Sequence, residues 1–553
     1  MATLGRRRTM AVVVGVLLGL LLSAMDQTVV GTAMPRIVAQ LQGMALYSWV
    51  FTSYMLTTTI TMPIYGKLSD LYGRRTVYLV GLGLFMLGSA FSGAAQTMDQ
   101  LIVFRGLQGL GAGAMMPIAM AIMGDIFPPA ERGKWQGLTG AVFVLSSVVG
   151  PAVGGFLTDQ LHWRWVFYIN LPIGLVAAAV LALALPRLAP GPRRPALDVP
   201  GALCLAAALV PVLLACSWGG RELPWTSPTI VGLLAGGLLF LTLFVVVETR
   251  AKEPILPLVL FRNGIFLASA VAVFFSGVGM FGAVLFIPLF VQGVVGLSAT
   301  EAGAVLTPMM LSVVAGSMVA GQLIARTGRY RWVALLGLGV LTVGSALMSR
   351  VDASTSSGTV LRNGLLLGFG LGVTLPLYTI VVQNAFPMER LGTVTSAVQF
   401  FRSIGGTIGV AVMGTVMVDR MGRYLVDDLA QRLPPSAAQL LPADGLRIAA
   451  MRSEALLRSD ALVELASQLP PGLGSFSEIV LASLRASLAR SIADVFLLAT
   501  AMALVSLAAT AFLKEVPLRR RSRFSAPPEG EAAAGPTESP TVGGARGRAD
   551  TSP

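Results

Sequence analysis

Long apolar stretches separated by short polar turns run through most of the chain. Fourteen of them come close to or exceed the ~20 residues that carry a helix across a ~30 Å hydrocarbon core. They lie near 10–34, 46–65, 77–95, 98–123, 136–158, 165–186, 198–217, 229–248, 264–291, 302–325, 331–349, 360–383, 394–417 and 493–513. The pattern predicts an all-α integral membrane protein with fourteen transmembrane helices. Two regions interrupt it. Residues 418–492 predict a long external loop whose later part, Phe476 to Leu488, has helix-like apolar spacing. Residues 516–553 predict a disordered tail, since from Ser525 onward they are rich in Pro, Gly, Ala and Glu and cannot bury a core.

The turns repeat. GKLSDLYGRR (66–75) returns in degraded form as GQLIARTGR (321–329). Gly109, Gly111, Gly113 and Pro117 match Gly368, Gly370, Gly372 and Pro376, and Phe127, Pro128, Glu131, Arg132 and Gly133 are echoed by Phe386, Pro387, Glu389, Arg390 and Gly392. Recurrence in one order predicts two six-helix pseudo-repeat halves, 1–190 and 264–515, with two inserted helices and their linkers at 191–263 and the 516–553 tail. Duplicated halves are a common construction of alternating-access transporters, with substrate held between them near the midplane.

Charge sets the orientation. The chain of 553 residues is 55% hydrophobic and 12% charged yet carries +13, which raises the question of nucleic acid. Its basic residues instead fall in alternate short loops: Arg6 to Arg8; Lys67, Arg74 and Arg75; Arg132 and Lys134; Arg187, Arg193 and Arg194; Arg250 and Lys252; Arg326, Arg329 and Arg331; Arg519 to Arg521 and Arg523. This positive-inside asymmetry places both termini in the cytoplasm and argues against nucleic-acid binding. The first apolar segment is too long for a signal-peptide core and contains Asp26, so it reads as a retained helix. Cys204 and Cys216 lie ~18 Å apart along one predicted helix and cannot bridge. The one histidine, His162, sits beside Trp163 and Trp165 at an interface. With no nucleotide loop, metal cluster or serine triad, the chain does not read as an enzyme.

A few polar residues inside the apolar segments carry the candidate chemistry. Asp26 lies well within the first span, where an ionised carboxylate costs about 2.5–3.5 kcal/mol on insertion scales. It reads as a proton or cation site, or as a carboxylate that only hydrogen-bonds a neighbouring helix or a nearby hydroxyl such as Thr28 or Thr32. Arg105 is its basic counterpart near the outer end of the fourth span, and Arg402 a second one without a nameable partner. The 66–75 loop suits a gate: Gly66 and Gly73 permit close approach or a tight turn, Asp70 can pair with Arg74 or a helix end, Arg75 anchors to anionic lipid, and Asp125 is a partner for Arg74 in an outward-facing state. Gly150, Pro151, Gly154 and Gly155, with Ser146 one turn earlier, form a small-residue helix face for close packing. Trp49, Tyr54, Gln108, Met115, Tyr378 and Gln383 are candidates for lining a substrate cavity, where aromatic and Met surfaces accept varied ligands.

GKLSDLYGRR, LIVFRGLQGLGAGAMMP (101–117), SSVVGPAVGG (146–155) and AMDQTVVGTAMPRI (24–37) together resemble the major facilitator superfamily, in its fourteen-span drug:proton antiporter branch, over roughly residues 10–515. The resemblance implies that Asp26 and Arg105 take part in proton coupling and that the Gly150-Pro151 helix prevents leak between the halves. It implies proton-coupled export of small amphipathic compounds (drugs, dyes, antibiotics), with a dedicated lipid or natural-product exporter as the alternative and a symporter a weaker one. Expected partners are an amphipathic small molecule and membrane lipid, with loop 418–492 open to a periplasmic or extracellular partner. The expected state is a monomer in a bacterial inner membrane, driven by the proton gradient without a cofactor.

Overall fold

The computed structural model describes residues 5–41, 46–186, 197–220, 223–297, 299–432 and 477–518. Arg187, Arg193, Arg194, residues 433–476 and everything from 519 onward, including the expected tail, lie outside the described residues. The described residues form an all-helical bundle with no strand beyond an isolated bridge, Gly219 to Leu223.

The first set of helices is α1 (Arg6–Leu41), α2 (Tyr47–Tyr72), α3 (Arg74–Ala94), α4 (Met98–Ile126), α5 (Pro129–Phe156), the single turn α6 (Trp165–Tyr168) and α7 (Asn170–Ala184). Two helices follow, α8 (Val199–Trp218) and α9 (Pro228–Arg250). The last set is α10 (Gly264–Gly293), α11 (Ala299–Thr327), α12 (Arg331–Met348), α13 (Ser357–Ala385), α14 (Leu391–Arg432) and α15 (Ser477–Ala511). Their ends carry ordinary signals: Thr97, Asp198, Ser227, Asn263 and Ser356 cap N-termini through side-chain oxygens. Gly73, at φ 89°, breaks the chain between α2 and α3 in a conformation open to glycine.

Among the described residues twelve helices are long and apolar enough to cross a membrane. The twelve do not include α2 and α5, whose sequences are diluted by Thr57, Thr58, Thr59, Thr61, Lys67 and Asp70 in the one and by Glu131, Arg132 and Lys134 in the other. The outer surface is what lipid requires. Helix α9 exposes Leu238, Leu239, Phe240, Leu241, Leu243, Val245 and Val246 along its length, an apolar girdle that water would not tolerate.

The connection before the last helix is shorter than the sequence suggested. Residues 418–432 continue α14 and residues 477–492 already belong to α15, so 418–492 is not one loop. The continuation holds because Met421, Leu425 and Leu429 keep an apolar stripe that is buried beside Leu484, Leu488 and Ile492 of α15.

Packing follows small residues. Gly109 and Gly113 of α4 press on α2 at Tyr54, Thr57, Thr58 and Thr61, while Gly111 between them presses on Gly81 and Phe85 of α3. In α13, Gly368 and Gly372 press on Met309 and Val313 of α11, and Gly370 on Leu341 of α12. The first and last helical sets meet chiefly through α2 against α14 and α5 against α11, and the α8–α9 pair attaches through α8 to α2 and α14.

Candidate functional site

Asp26 and Arg105 meet. Arg105 Nη1 donates to Asp26 Oδ2 at 2.5 Å, with both side chains wholly removed from solvent. Gln108, one turn along α4, donates to Asp26 Oδ1 at 2.8 Å and accepts from Arg105 Nη1 at 2.8 Å. Asn170, the first residue of α7, donates to Asp26 Oδ1 at 3.2 Å and to Ser89 Oγ at 3.0 Å. The guanidinium lies 4.2 Å from the centre of the Tyr54 ring, whose face stabilises a desolvated cation. Arg105 Nε and Nη2 have no acceptor among the described residues. A paired carboxylate with a full donor set thus sits beside a guanidinium that is only half satisfied. Removing the charge on Asp26 would leave that guanidinium buried and uncompensated, a change of several kcal/mol in general.

The two threonine hydroxyls considered as partners of Asp26 are engaged elsewhere, and its partners come from neighbouring helices. Thr28 donates to the carbonyls of Met25 and Ser146, and Thr32 to that of Val29, so neither hydroxyl serves the carboxylate. Asn170 and Ser89 went unnoticed in the sequence. The signal was present for Asn170, an amide inside an otherwise apolar span.

At the opposite end of the bundle the 66–75 segment, which is not a loop but the last turns of α2 and the start of α3 broken at Gly73, closes onto α14. Asp70 accepts from the backbone N–H of Gly392 (2.8 Å), the N–H of Thr393 (2.7 Å) and Thr393 Oγ1 (2.6 Å), so it caps the N-terminus of a helix in the other set. Arg74 ties this cap to α4, with Nη1 2.6 Å from Asp70 Oδ1 and Nε 3.0 Å from Asp125 Oδ2. The pairing of Arg74 with Asp125 agrees with the sequence expectation. A Cβ on Gly66 would stand 2.7 Å from the Gly392 carbonyl, and one on Gly392 would stand 2.5 Å from the Gly66 carbonyl. The two glycines are therefore what lets α2 and α14 touch here. Arg75 donates to the Leu185 carbonyl (3.3 Å), at the end of α7.

A second lock lies alongside. Arg132 donates to the carbonyls of Gly124 (2.5 Å) and Phe127 (2.9 Å) and to Gln383 Oε1 (3.3 Å). Gln383 in turn donates to the Met120 carbonyl (3.1 Å) and Thr395 Oγ1 (3.0 Å). Arg132 figured in the sequence only as a repeated loop residue, yet it joins α5, α4 and α13.

On α5, a Cβ on Gly150 or Gly154 would stand 2.0 or 2.2 Å from the hydroxyls of Thr28 and Thr32 on α1. Gly155 faces open space, so it takes no part in that packing face. Pro151 lies in the helix between them, its ring outside the described side chains.

The six expected cavity residues are not brought together. Tyr54 and Gln108 belong to the Asp26 cluster, and Gln383 to the second lock. Met115 is fully buried in the core formed by α1, α2, α3, α4 and α7. Tyr378 is buried with its hydroxyl 2.5 Å from Thr510 Oγ1, and Trp49 stands edge-on to Trp218 of α8, centroids 5.4 Å apart. In this conformation the polar atoms of Gln108, Tyr378 and Gln383 are engaged with neighbouring groups, and a cavity lining by the six stays a proposal. Cys204 and Cys216 are free thiols, and no group of metal ligands occurs among the described residues.

Comparison with known proteins agrees with the geometry. The model of the Major Facilitator Superfamily matches residues 16–410. The chain is similar to the "Multidrug transporter protein MdtP" of Bacillus subtilis (strain 168), 44% identical over 408 residues, which cover 74% of this chain and 75% of the relative. It is similar to "Multidrug resistance protein 3" of the same organism, 41% identical over 404 residues, 73% of this chain and 78% of that one. Among solved structures it resembles the human organic anion transporter MFSD10 with a TM-score of 0.57 at 16% identity, over 89% of this chain and 99% of the other, a likeness of fold. With the repeated loop motif, the helical bundle and these matches in agreement, the chain belongs to the major facilitator superfamily.

Proposed function

We propose that the chain exports small amphipathic compounds, among them drugs, dyes and antibiotics, across a bacterial inner membrane in exchange for protons. The observation that carries this reading is the Asp26 cluster: a buried carboxylate held by Arg105, Gln108 and Asn170, which belong to two other helices. A proton arriving at Asp26 removes the counter-charge of Arg105 and turns one acceptor oxygen into a donor. Arg105, Gln108 and Asn170 must then rearrange, and that rearrangement is the event coupled to access. The names of the relatives support multidrug substrates.

Alternating access follows from the other end of the bundle. With Asp70 capping α14 and Arg132 holding Gln383, the 66–75 end is shut, which corresponds to an outward-facing state if that end is cytoplasmic. Hydrogen bonds to charged groups are worth about 1.5–3 kcal/mol each. A handful of them closes a gate that a comparable binding energy can reopen.

In this reading α2 and α5 also cross, giving fourteen spans and cytoplasmic termini. Helix α2, with 26 residues, is about 39 Å long. Its threonines need no water, since Thr57 and Thr61 return their hydroxyls to the carbonyls of Ser53 and Thr57. The matched alternation of glycine contacts in α4 and α13 supports two duplicated halves.

The test is dye efflux from proteoliposomes carrying the wild type or Asp26→Asn, using ethidium and pyrenebutyrate, with and without an imposed pH gradient. Gradient-driven efflux by the wild type that is lost in Asp26→Asn supports the proposal. Full gradient-driven efflux by Asp26→Asn overturns the coupling role, and movement of neither dye by folded wild type overturns polyspecific export.

A further inference from the structure

Four arginines are buried among the described residues, and three of them have evident compensation. Arg74 has Asp70 and Asp125, Arg105 has Asp26, and Arg132 sits on the last carbonyls of α4, where a helix end favours a cation. Arg402 on α14 differs. Its guanidinium donates only to two neutral acceptors, Gln399 Oε1 at 2.9 Å and the mid-helix Leu375 carbonyl of α13 at 3.1 Å. No Asp or Glu forms an ion pair with it among the described residues.

A second observation points to the same place. Gln399 has turned its oxygen toward Arg402, which leaves its Nε2 buried with no acceptor. Gln399 is 3% exposed and Arg402 6%, so two side chains that are more than nine-tenths buried offer donors for which the described residues supply no anion. Leaving the Gln399 Nε2 donor unsatisfied is costly, and so is burying the Arg402 charge without a counter-ion.

The position suits a ligand. Gln399 and Ser403 lie one turn apart on one stripe of α14, and Ser403 meets Thr59 of α2 at 3.1 Å, so this stripe looks across the seam between the two helical sets, with Arg402 on its flank and directed to Leu375 of α13. Arg402 lies eleven residues beyond Leu391, hence about 16 Å along the helix from the Asp70 cap, near half the depth of a ~30 Å core. Transporters with two halves hold substrate at this depth and at this seam.

We infer that Arg402 and Gln399 form a recognition site for an oxyanion group, a carboxylate, sulfonate or phosphate, carried on an amphipathic body. The guanidinium supplies charge and a planar fork, and the Gln399 amide supplies the adjacent donor. Asp26 is already neutralised by Arg105, so the seam carries an uncancelled positive charge in this conformation. Such a site selects anionic or zwitterionic amphipaths over purely cationic ones. The same chemistry could arrive on an exported solute or on an anionic lipid headgroup.

This inference rests on the export reading and sharpens its substrate class. It is tested with the full chain in phosphatidylcholine proteoliposomes and a matched probe pair, pyrenebutyrate and a pyrenebutyl trimethylammonium, following both binding and efflux. The wild type is expected to favour the carboxylate probe. Arg402→Gln should weaken its binding at least about tenfold while leaving the cationic probe unchanged or improved, and Arg402→Lys should restore part of the preference. Gln399→Leu should weaken the anionic probe several-fold. Thermal unfolding of each variant verifies folding. Adding phosphatidylglycerol separates the two sources: competition with pyrenebutyrate assigns the site to a lipid headgroup, no competition assigns it to the solute, and either supports an oxyanion site. Equal loss of both probes in Arg402→Gln would reduce Arg402 to a brace between α14 and α13 and overturn the inference. Transport of the cationic probe alone by the wild type would overturn it while leaving the export reading intact.

Discussion

Asp26 was legible in the sequence because an ionisable residue inside an apolar run is conspicuous, and Arg105 for the same reason. What the sequence could not convey is that Gln108 and Asn170 complete the carboxylate's donor set, since an amide on a helix has no visible direction until the neighbouring helix is placed. Their assignment changes what mutation should do. Asn170→Leu removes a donor from Asp26 and from Ser89 in a buried site, so it should destabilise the fold by about 1–3 kcal/mol and lower the thermal transition of the detergent-solubilised protein. Arg105→Lys keeps the charge but loses the planar guanidinium whose Nη1 bonds both Asp26 and Gln108 and which stacks on Tyr54. Gradient-driven dye efflux should fall at least about tenfold, and retention of wild-type efflux would show that the charge alone suffices.

Helices were easier to read than their contacts. Apolar runs located the helices closely, yet which glycine touches a neighbour depends on a partner distant in sequence. Gly155 looked like a member of the small face of α5 and meets nothing, whereas a Cβ on Gly372 would stand 2.0 Å from the Val313 carbonyl of α11. Gly372→Ala should therefore force α13 and α11 apart at a cost of about 1–3 kcal/mol. Gly155→Ala should be neutral or slightly stabilising, since it gains helix propensity without a clash. Thermal melts of the two variants side by side decide this, and a destabilised Gly155→Ala with an unaffected Gly372→Ala would refute the packing described here. Residues 418–432 read as loop in the sequence because their arginines and aspartates hide an apolar stripe that only becomes significant once α15 lies alongside.

For the whole molecule, the repeated charged loop announced a gate, but its counterpart, the Gly392 and Thr393 end of α14, lies 322 or 323 residues away and carries no sequence mark of that role. Asp70→Asn keeps the shape and removes the charge that caps α14, so the closed end should open. Spin labels on the α2–α3 and α13–α14 turns should report a longer or broader distance distribution, with the open population raised about tenfold for each charge-assisted bond lost. An unchanged distribution would mean that Asp70 does not hold this end shut. The two ends are linked through α4, which carries Arg105 near one and Asp125 near the other, and the account's central claim is that a proton on Asp26 biases that linked equilibrium. The most direct measurement is proton release in weakly buffered solution when ethidium or pyrenebutyrate is added to the purified protein. The wild type should release protons on binding and Asp26→Asn should release none, whereas equal release by both proteins would contradict the claim.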